Sequence, residues 1–545
     1  MLQTASLKGK KINWGILAER RQIVLLIFIF SFSLIARYNE YYNFREFHSD
    51  KSRQLHGAYE LLNGKGVSFE SYDLTTLQPQ VQPIIDWPPA YSYAIAAISY
   101  VTGLNVYKAS VVLDVICLTA LWVIFFWLTS LLNFTLLQRT LLFLLFSVAK
   151  TLFIKLYSGD LLATTLFMFS TTVSLFIIQK KAVNRAPKFA VALLFASVFL
   201  MIFLKYSFWP VCFAIGLSIV SYSHFSAKKL YRIGFYLLLL CLVSIGVLIL
   251  YNQFRSGLSS GMENRHPNKK SHLYFENLLL FDPFIVNGFF YLDVFYTRFN
   301  YHLTYFISQI SSALILIWAA VHIVKRIRDK QADYFSHLVL ITSFSLLGFL
   351  TALSVYYPKD AYGSFEWTYV TEYRYFAPAV FLLIFYLVKN LSFSWSGRLA
   401  QFAISAFVVI SICCTFILGV YYWMINNKAG SFENLYGKIF RVNEFVEKQK
   451  GGQTYFISLS NHPPTDTEAT SLVAINGTKV AMSYYGYFPD STFNILFSKT
   501  KLLPQGKKFI LFLDHNDKIL DSINLTNRHK IEQNSEGEKF LVINN

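Results

Sequence analysis

Long apolar blocks alternate with short polar segments from residue 22 to residue 424. Most blocks hold roughly 17–25 residues, enough for a helix to cross a hydrocarbon core about 30 Å thick. Because lipid offers no hydrogen-bond partners to the backbone, such blocks are expected to be helices. The pattern predicts twelve of them, at 22–38, 89–104, 108–132, 140–157, 161–179, 188–205, 208–225, 230–252, 303–324, 336–356, 376–392 and 401–424.

The pattern changes after Asn426, and residues 427–545 contain no spanning block. Short runs typical of strands recur there between turn-forming residues such as Gly451 and Gly452. These runs are Tyr455–Ser458, Lys479–Met482, Phe509–Leu513 and Phe540–Ile543. The predicted fold is therefore an all-α polytopic membrane domain over 1–426, with about 11–13 transmembrane helices, followed by a small α+β domain over 427–545.

The composition is typical of a membrane protein, and the positions of the charged residues argue against a nucleic-acid partner. Hydrophobic residues make up 54% of the chain and the mean hydropathy is +0.41, whereas soluble proteins are about 45–50% apolar. The net charge of +18 lies mostly in short loops between apolar blocks. That distribution is typical of the positive-inside rule, so nucleic acid is not an expected partner.

Basic loops also predict the orientation. Lys and Arg concentrate at 180–188, 228–232, 325–330 and 389–398 and in the N-terminal segment, which places all five on the cytoplasmic side. The segments 39–87, 253–302 and 357–375 and the α+β domain then lie outside, as in a multi-pass protein of a bacterial inner or plasma membrane.

This orientation leaves one conflict, between residues 87 and 160. Both positions are predicted to be outside, yet three apolar blocks lie between them, and three crossings cannot join two points on one side. One block must therefore be re-entrant, interfacial or split. We expect this to be 140–157, because Lys150 and Lys155 fall inside it and a charge within lipid is costly.

The outer loop 39–87 is long and polar, and it supplies the first candidate residue. Leu55, Tyr59 and Leu62 recur at helical spacing after Asp50, and Gly64 is a plausible stop. The pattern predicts a short amphipathic helix at the membrane surface. Asp50 is either a charge that favours the helix dipole or a general base or metal ligand at the boundary between water and lipid.

Two further carboxylates are candidates. Asp160 opens the block 161–179, where it is either an ordinary helix cap or a second acid facing the same cavity as Asp50. Asp114 lies inside the block 108–132. An acid within the membrane is a functional candidate, or it pairs with Lys108 and only positions helices.

Candidate cations lie at the outer ends of two blocks. Arg374, followed by Tyr375, opens the block 376–392 and could clamp a phosphate, or it could extend its side chain to the interface. Lys205 has the same two interpretations. The outer loop ends in Asp86, Trp87 and a Pro pair, and Trp87 is predicted to anchor at the interface.

Taken in order, these features resemble the GT-C superfamily of membrane glycosyltransferases, and most of all its protein O-mannosyltransferase and aminoarabinose-transferase branch. The resemblance covers about 1–425. It rests on Ser49-Asp50 in the first outer loop, on the Pro-Pro-aromatic pattern Pro88-Pro89-Ala90-Tyr91, on Gly159-Asp160, and on the Arg-Tyr-x-x-Pro pattern that begins at Arg374.

The resemblance implies transfer of a hexose or pentose from a polyprenyl-phosphate donor on the outer face of the membrane. It implies that Asp50 activates the acceptor, with Asp160 as a second catalytic acid, and that Arg374 and Lys205 hold the donor phosphate. Many relatives carry a Lys before the Pro pair, where this chain has Trp87, so Asp86 is an alternative local candidate. A divalent metal, Mg or Mn, is left open, as is an acceptor glycan, lipid or protein.

Two other functions remain compatible with the sequence. A transporter or flippase of lipid-linked glycans would share the membrane architecture, although paired halves and broken-helix pairs are not visible. A non-enzymatic assembly or adhesion protein would act through its C-terminal domain. Loss of function on Asp50→Asn separates the enzyme from the third class.

Overall fold

The computed structural model describes residues 14–44, 49–73, 76–149, 153, 159–181, 188–226, 230–259, 275, 301–356, 373–391, 399–429, 435–449, 454–457, 472–473, 475–482, 503–514, 529–535 and 537–544. Within them the α-helices are α1 (Trp14–Phe44), α2 (Ser49–Leu62), α3 (Ala90–Thr102), α4 (Val106–Leu131), α5 (Leu136–Val148), α6 (Gly159–Lys181), α7 (Lys188–Ile202), α8 (Trp209–Phe225), α9 (Tyr231–Ser256), α10 (Tyr301–Arg328), α11 (Tyr334–Tyr356), α12 (Ala377–Lys389), α13 (Leu399–Ala429) and α14 (Leu435–Lys448). Two 3₁₀ turns are Tyr206–Phe208 and Tyr373–Tyr375.

Local sequence explains several helix starts. The Asn105 side chain accepts a hydrogen bond of 2.8 Å from the Lys108 amide and caps α4. Thr135 and Gln138 form a reciprocal capping box at the start of α5. Pro378 lies in the first turn of α12, where a backbone N–H would have no hydrogen-bond acceptor within the helix, so its absence in proline costs nothing.

The described helices confirm an integral membrane protein that crosses the bilayer many times. Seven of them are long and apolar enough to span a membrane, and four more are apolar but shorter. Of the predicted 11–13 transmembrane helices, seven therefore meet the length criterion among the described residues.

A mixed sheet of seven strands lies at one end of the helices, which we call the sheet-bearing face. The strands are β1 (Ser68–Asp73), β2 (Pro79–Pro83), β3 (Thr454–Ile457), β4 (Lys479–Met482), β5 (Lys508–Asp514), β6 (His529–Gln533) and β7 (Lys539–Asn544), in the order β2-β1-β4-β3-β5-β7-β6. The central strands β4, β3 and β5 are parallel, and both edges are antiparallel pairs. All four strands predicted for the C-terminal segment are present.

The sheet takes β1 and β2 from the outer loop. β1 pairs in parallel with β4, with Tyr72 opposite Ala481. Trp87, predicted to anchor at the membrane interface, is instead buried in the same apolar cluster as Phe456 and Phe445. The α+β domain predicted from residue 427 onward therefore has part of its structure encoded before the second span.

Helix α12 is the central helix of the membrane domain. Its 13 residues make it about 20 Å long, and residues 377–388 are all buried. Aromatic rings of α4 and α5 surround it, because Phe125 and Phe146 both lie within 6.0 Å of Phe381 and Phe385, measured between ring centroids. The helix joins the sheet-bearing face to the opposite face of the protein.

Helix α3, and not the block 140–157, is the one that does not cross. Trp87, just before α3, packs under the sheet, and Asn105, just after it, donates a hydrogen bond of 3.3 Å to the Ile475 carbonyl oxygen. Both ends of α3 therefore lie at the sheet-bearing face.

Helix α5, by contrast, runs between the two faces. Gln138 at its start bonds the carbonyl oxygens of Val388 and Lys389 at the far end of α12, and Phe146 near its end accepts two hydrogen bonds from Arg37. The expectation for 140–157 was wrong because α5 ends at Val148, before Lys150 and Lys155, which lie outside the described residues.

Helix α2 lies between the membrane helices and the sheet. The predicted helix is present, and Gly64 follows it with a positive φ of 79°. It is not a surface helix with one face in water, however. Polar residues such as His56 and Glu60 are as buried as Leu55, whereas Leu62 is exposed. Sheet and bilayer helices cover both sides of α2.

A small ionic network joins α2 to β1. Lys65 lies 3.2 Å from Glu60 and 2.5 Å from Glu70, and His56 lies 3.4 Å from Glu60. Burial alone would raise the pKa of Glu60, but His56 and Lys65 outweigh it and hold that pKa below 4.5. The carboxylate therefore stabilises the fold above pH 4.5, and this contribution is lost as the pH falls through the folded-state pKa.

We expect Glu60→Gln to lower the melting temperature of the detergent-solubilised protein at pH 7. The difference from wild type should shrink below about pH 4.5, where the wild-type carboxyl also becomes neutral. Thermal unfolding followed at several pH values measures this difference. A difference that persists unchanged well below pH 4 would contradict the assignment of the network.

Candidate functional site

Four of the residues singled out in the sequence meet at the sheet-bearing end of α12. Asp50 lies in the first turn of α2 and Asp160 in the first turn of α6. Arg374 lies in the turn before α12, and Lys205 lies between α7 and α8. We call these four residues the charge cluster. It unites side chains that are more than 300 residues apart along the chain.

Arg374 lies between the two carboxylates. Its Nη1 atom is 3.0 Å from Asp50 Oδ2 and 3.8 Å from Asp160 Oδ2. The Arg374 side chain is only 3% exposed, so it does not extend to the interface as a solvated cation would. Its charge is balanced within the protein.

Lys205 pairs with the other oxygen of Asp160 and is also buried. Burial lowers the pKa of Lys205, and Asp160 opposes that shift, whereas Arg374 acts in the same direction as burial. The net pKa lies below the ordinary value of 10.5. An anion arriving beside Lys205 would therefore favour its charged form.

Tyr375 supports both cations. The Lys205 Nζ atom is 4.9 Å and the Arg374 Cζ atom 5.1 Å from the centre of the Tyr375 ring, within the range of cation–π attraction. Arg374 Nη2 also donates a hydrogen bond of 3.3 Å to the Tyr375 hydroxyl. Tyr375 thus fixes the spacing of the two positive groups.

A glycine lets the two acid-bearing helices approach each other. A Cβ atom on Gly159, the residue before Asp160, would lie 3.3 Å from Gln54 Oε1 and 3.4 Å from Tyr91 Cγ. The first turn of α6 therefore lies close to α2 and α3 at this glycine, and a side chain there would need the Gln54 amide to shift slightly.

Asp114 does not join the charge cluster and does not pair with Lys108. Its Oδ2 atom accepts hydrogen bonds of 2.6 Å from Lys51 Nζ and 3.0 Å from the Tyr41 hydroxyl. Lys51 follows Asp50 directly, and both Lys51 and Asp114 are 2% exposed. This pair ties α1, α2 and α4 together and fixes the first turn of α2.

Sequence reasoning missed Lys51 as a positioning residue. An acid buried near the outer end of a span needs a compensating cation. The neighbouring polar loop is the nearest source of one, and that argument could have suggested Lys51.

Asp86 also lies apart from the cluster in the contacts described. Its carboxylate interacts electrostatically with Tyr206, whose hydroxyl donates a hydrogen bond of 2.9 Å to the Ile85 carbonyl oxygen. A cavity of about 200 Å³, bordered by Tyr222, Asp333 and Lys389, lies at the other end of α12 and is separate from the cluster.

The charge cluster does not fit a divalent cation as its side chains are placed. A site for Mg or Mn needs several oxygen ligands that converge on one point. Within the described ranges, no group of three or more His, Cys, Asp or Glu side chains could hold a metal ion. Asp50 and Asp160 instead share the guanidinium of Arg374.

The arrangement combines two chemical capacities. Arg374 and Lys205 present two positive groups at the sheet-bearing end of a buried helix, which suits an anionic group such as phosphate. Asp50 is 19% exposed at its side chain, against 2% for Asp160, so Asp50 is the carboxylate that an incoming hydroxyl can reach.

We expect Asp114→Asn to destabilise the protein by about 3–5 kcal/mol, because it leaves the Lys51 ammonium buried without its anion. Lys51→Met should cost a similar amount. The double variant Lys51→Met with Asp114→Asn should recover most of the loss, since neither charge remains buried. Thermal unfolding of all four proteins tests this, and additive losses in the double variant would contradict the pairing.

Comparison with known proteins gives a structural likeness only. The chain matches no family model and no curated protein sequence. It superposes on the crystal structure of ArnT from Cupriavidus metallidurans in the apo state with a TM-score of 0.52, at 9% identity, covering 97% of each chain. The crystal structure of ArnT from the same organism bound to undecaprenyl phosphate gives a TM-score of 0.49 at 10% identity, covering 97% of this chain and 98% of that one.

The superposition on the apo structure extends over nearly the whole chain, including the C-terminal segment. ArnT is an aminoarabinose transferase with the GT-C fold. At 9% identity the likeness establishes the architecture and carries no residue roles. The chain therefore shares the GT-C fold of ArnT.

Proposed function

We propose that the protein is a glycosyltransferase that moves a sugar from a polyprenyl-phosphate donor to a hydroxyl group of an acceptor. One observation carries the proposal. Arg374 and Lys205 lie together at the end of a buried membrane helix, and a partly exposed carboxylate, Asp50, lies 3.0 Å from Arg374. A phosphate site and a base are the two parts that this reaction requires.

In the proposal, the two cations bind the donor phosphate. A guanidinium can donate two parallel hydrogen bonds to phosphate oxygens, and the Lys205 ammonium adds a third positive contact. Negative charge grows on the phosphate as its bond to the sugar breaks. Cations that are already positioned stabilise this charge without reorganisation.

Asp50 then serves as the general base. The acceptor hydroxyl oxygen attacks the anomeric carbon, and its proton passes to the Asp50 carboxylate. The bond between the anomeric carbon and the phosphate oxygen breaks, and polyprenyl phosphate leaves with the bonding electrons. A single displacement of this kind inverts the anomeric configuration.

Asp160 has a different role from the one the resemblance implies. It contacts both cations and is buried, so it orients Lys205 and Arg374 rather than reaching an acceptor. The donor sugar, a hexose or pentose, and the acceptor, a glycan, lipid or protein, follow from the family likeness. The placement of the reaction outside the cytoplasm follows from the basic loops.

We expect polyprenyl phosphate to raise the melting temperature of the purified wild-type protein, because a ligand that binds only the folded state stabilises it, by about 2.7 kcal/mol at 100 times Kd. Arg374→Ala should lose most of this shift. Arg326→Ala is a matched control, because Arg326 bonds Asn390 at the opposite face. A shift that is absent in wild type, or equal in Arg374→Ala, would contradict the phosphate site.

Asp50→Asn should reduce turnover by about 10²–10⁴-fold, the usual contribution of a general base, while the protein remains folded and binds the lipid. Release of polyprenyl phosphate from a panel of polyprenyl-phosphate sugars, with a mixed set of acceptors, measures turnover. Lipid binding with no Asp50-dependent transfer for any donor would favour the transporter hypothesis.

A further inference from the structure

Arg374 cannot serve a phosphate and Asp50 equally well at the same time. Its Nη1 atom lies 3.0 Å from Asp50 Oδ2 and 3.8 Å from Asp160 Oδ2. The group that would bind the donor is thus already engaged by the group that would act as the base. An arriving phosphate has to compete for that guanidinium.

The two carboxylates differ in how readily they can be displaced. Asp160 is 2% exposed and is held from its other oxygen by Lys205. Asp50 is 19% exposed and lies in the first turn of its helix, so water or ligand can reach its side of the pair. The contact with Asp50, at 3.0 Å, is also the one within hydrogen-bond distance, so it is the contact that an arriving phosphate has to replace. Competition therefore falls on the contact between Arg374 and Asp50.

We propose that Asp50 and Arg374 form a latch that the donor phosphate opens, so that the donor must bind before the base becomes active. This inference rests on the proposed function. Phosphate draws the guanidinium away from Asp50, and the carboxylate, without that cation beside it, accepts the proton of the acceptor hydroxyl more readily. A carboxylate in an ion pair is a weaker proton acceptor than the same carboxylate without its partner.

The latch has a functional consequence for the timing of the base. Without donor there is no anomeric carbon for an activated hydroxyl to attack. Coupling the release of Asp50 to the phosphate restricts the active base to the donor complex, in which the acceptor can react. Because Asp50 and the donor phosphate share the Arg374 side chain, the donor has to bind before the base is active.

The test measures the affinity of radiolabelled polyprenyl phosphate for the full-length protein in detergent. Asp50→Asn removes the competing charge and keeps the side-chain shape, so this variant should bind the lipid about 3- to 30-fold more tightly than wild type. It gains affinity although it loses turnover. Unchanged or weaker binding by Asp50→Asn overturns the latch while leaving the phosphate site intact.

Two controls make the effect specific. Asp333→Asn removes a carboxylate that pairs with Lys389 at the opposite face, and it should leave lipid affinity unchanged. In an Arg374→Ala background, Asp50→Asn should have no further effect, because the competition acts through the guanidinium. An equal gain in that background would indicate general charge repulsion and would overturn the latch.

Failure of the latch and failure of the proposed function are distinguishable. If wild type does not bind polyprenyl phosphate, or binds it no better than polyprenol, the phosphate site and the latch are both overturned. If wild type binds the lipid phosphate, the direction of the Asp50→Asn effect and its dependence on Arg374 decide about the latch. Asp50→Ser removes the same charge and serves if Asp50→Asn does not fold.

Discussion

Mutual neutralisation of four charges at one end of a buried helix is the constraint on which the rest of this structure depends. The two carboxylates and the two cations of the charge cluster lie largely out of water, where an unpaired charge would be very costly. Each charge comes from a different element: α2, α6, the turn between α7 and α8, and the turn before α12. The complete cluster therefore forms only when all four elements are in place.

The outer loop joins the two parts of the protein and holds the reactive end of the cluster. Helix α2 is fixed from the membrane side by the pair of Lys51 and Asp114, and from the sheet side by the network around Glu60. The loop then continues into β1 and β2, which complete the C-terminal sheet. Asp50 therefore lies on a helix clamped on both sides, which keeps a candidate base in register with Arg374. The C-terminal strands extend the sheet that lies against this helix.

Much of this structure was predictable from the sequence, and the predictions that were wrong have a common physical cause. Spans were predictable because lipid forces each apolar block to satisfy its own hydrogen bonds, which is a local property. The charge of the loops placed Asp50, Asp160, Arg374 and Lys205 on the same side, and the family resemblance assigned them to one site. The predictions that were wrong concerned contacts between residues far apart in the chain. The partner of Asp114 was Lys51 rather than the neighbouring Lys108, Trp87 packed under a sheet, and two strands of that sheet came from 400 residues earlier. Pairing of distant strands and buried charges leaves no periodicity in the sequence.

The most direct test of the central claim, that Arg374 is the donor-phosphate ligand, is an experimental structure of the protein with polyprenyl phosphate bound. The account predicts phosphate oxygens within hydrogen-bond distance of Arg374 and Lys205, and a separation between Arg374 Nη1 and Asp50 Oδ2 that is longer than the present 3.0 Å. A phosphate bound elsewhere, with the contact between Arg374 and Asp50 unchanged, would contradict both the site and the exchange that opens it.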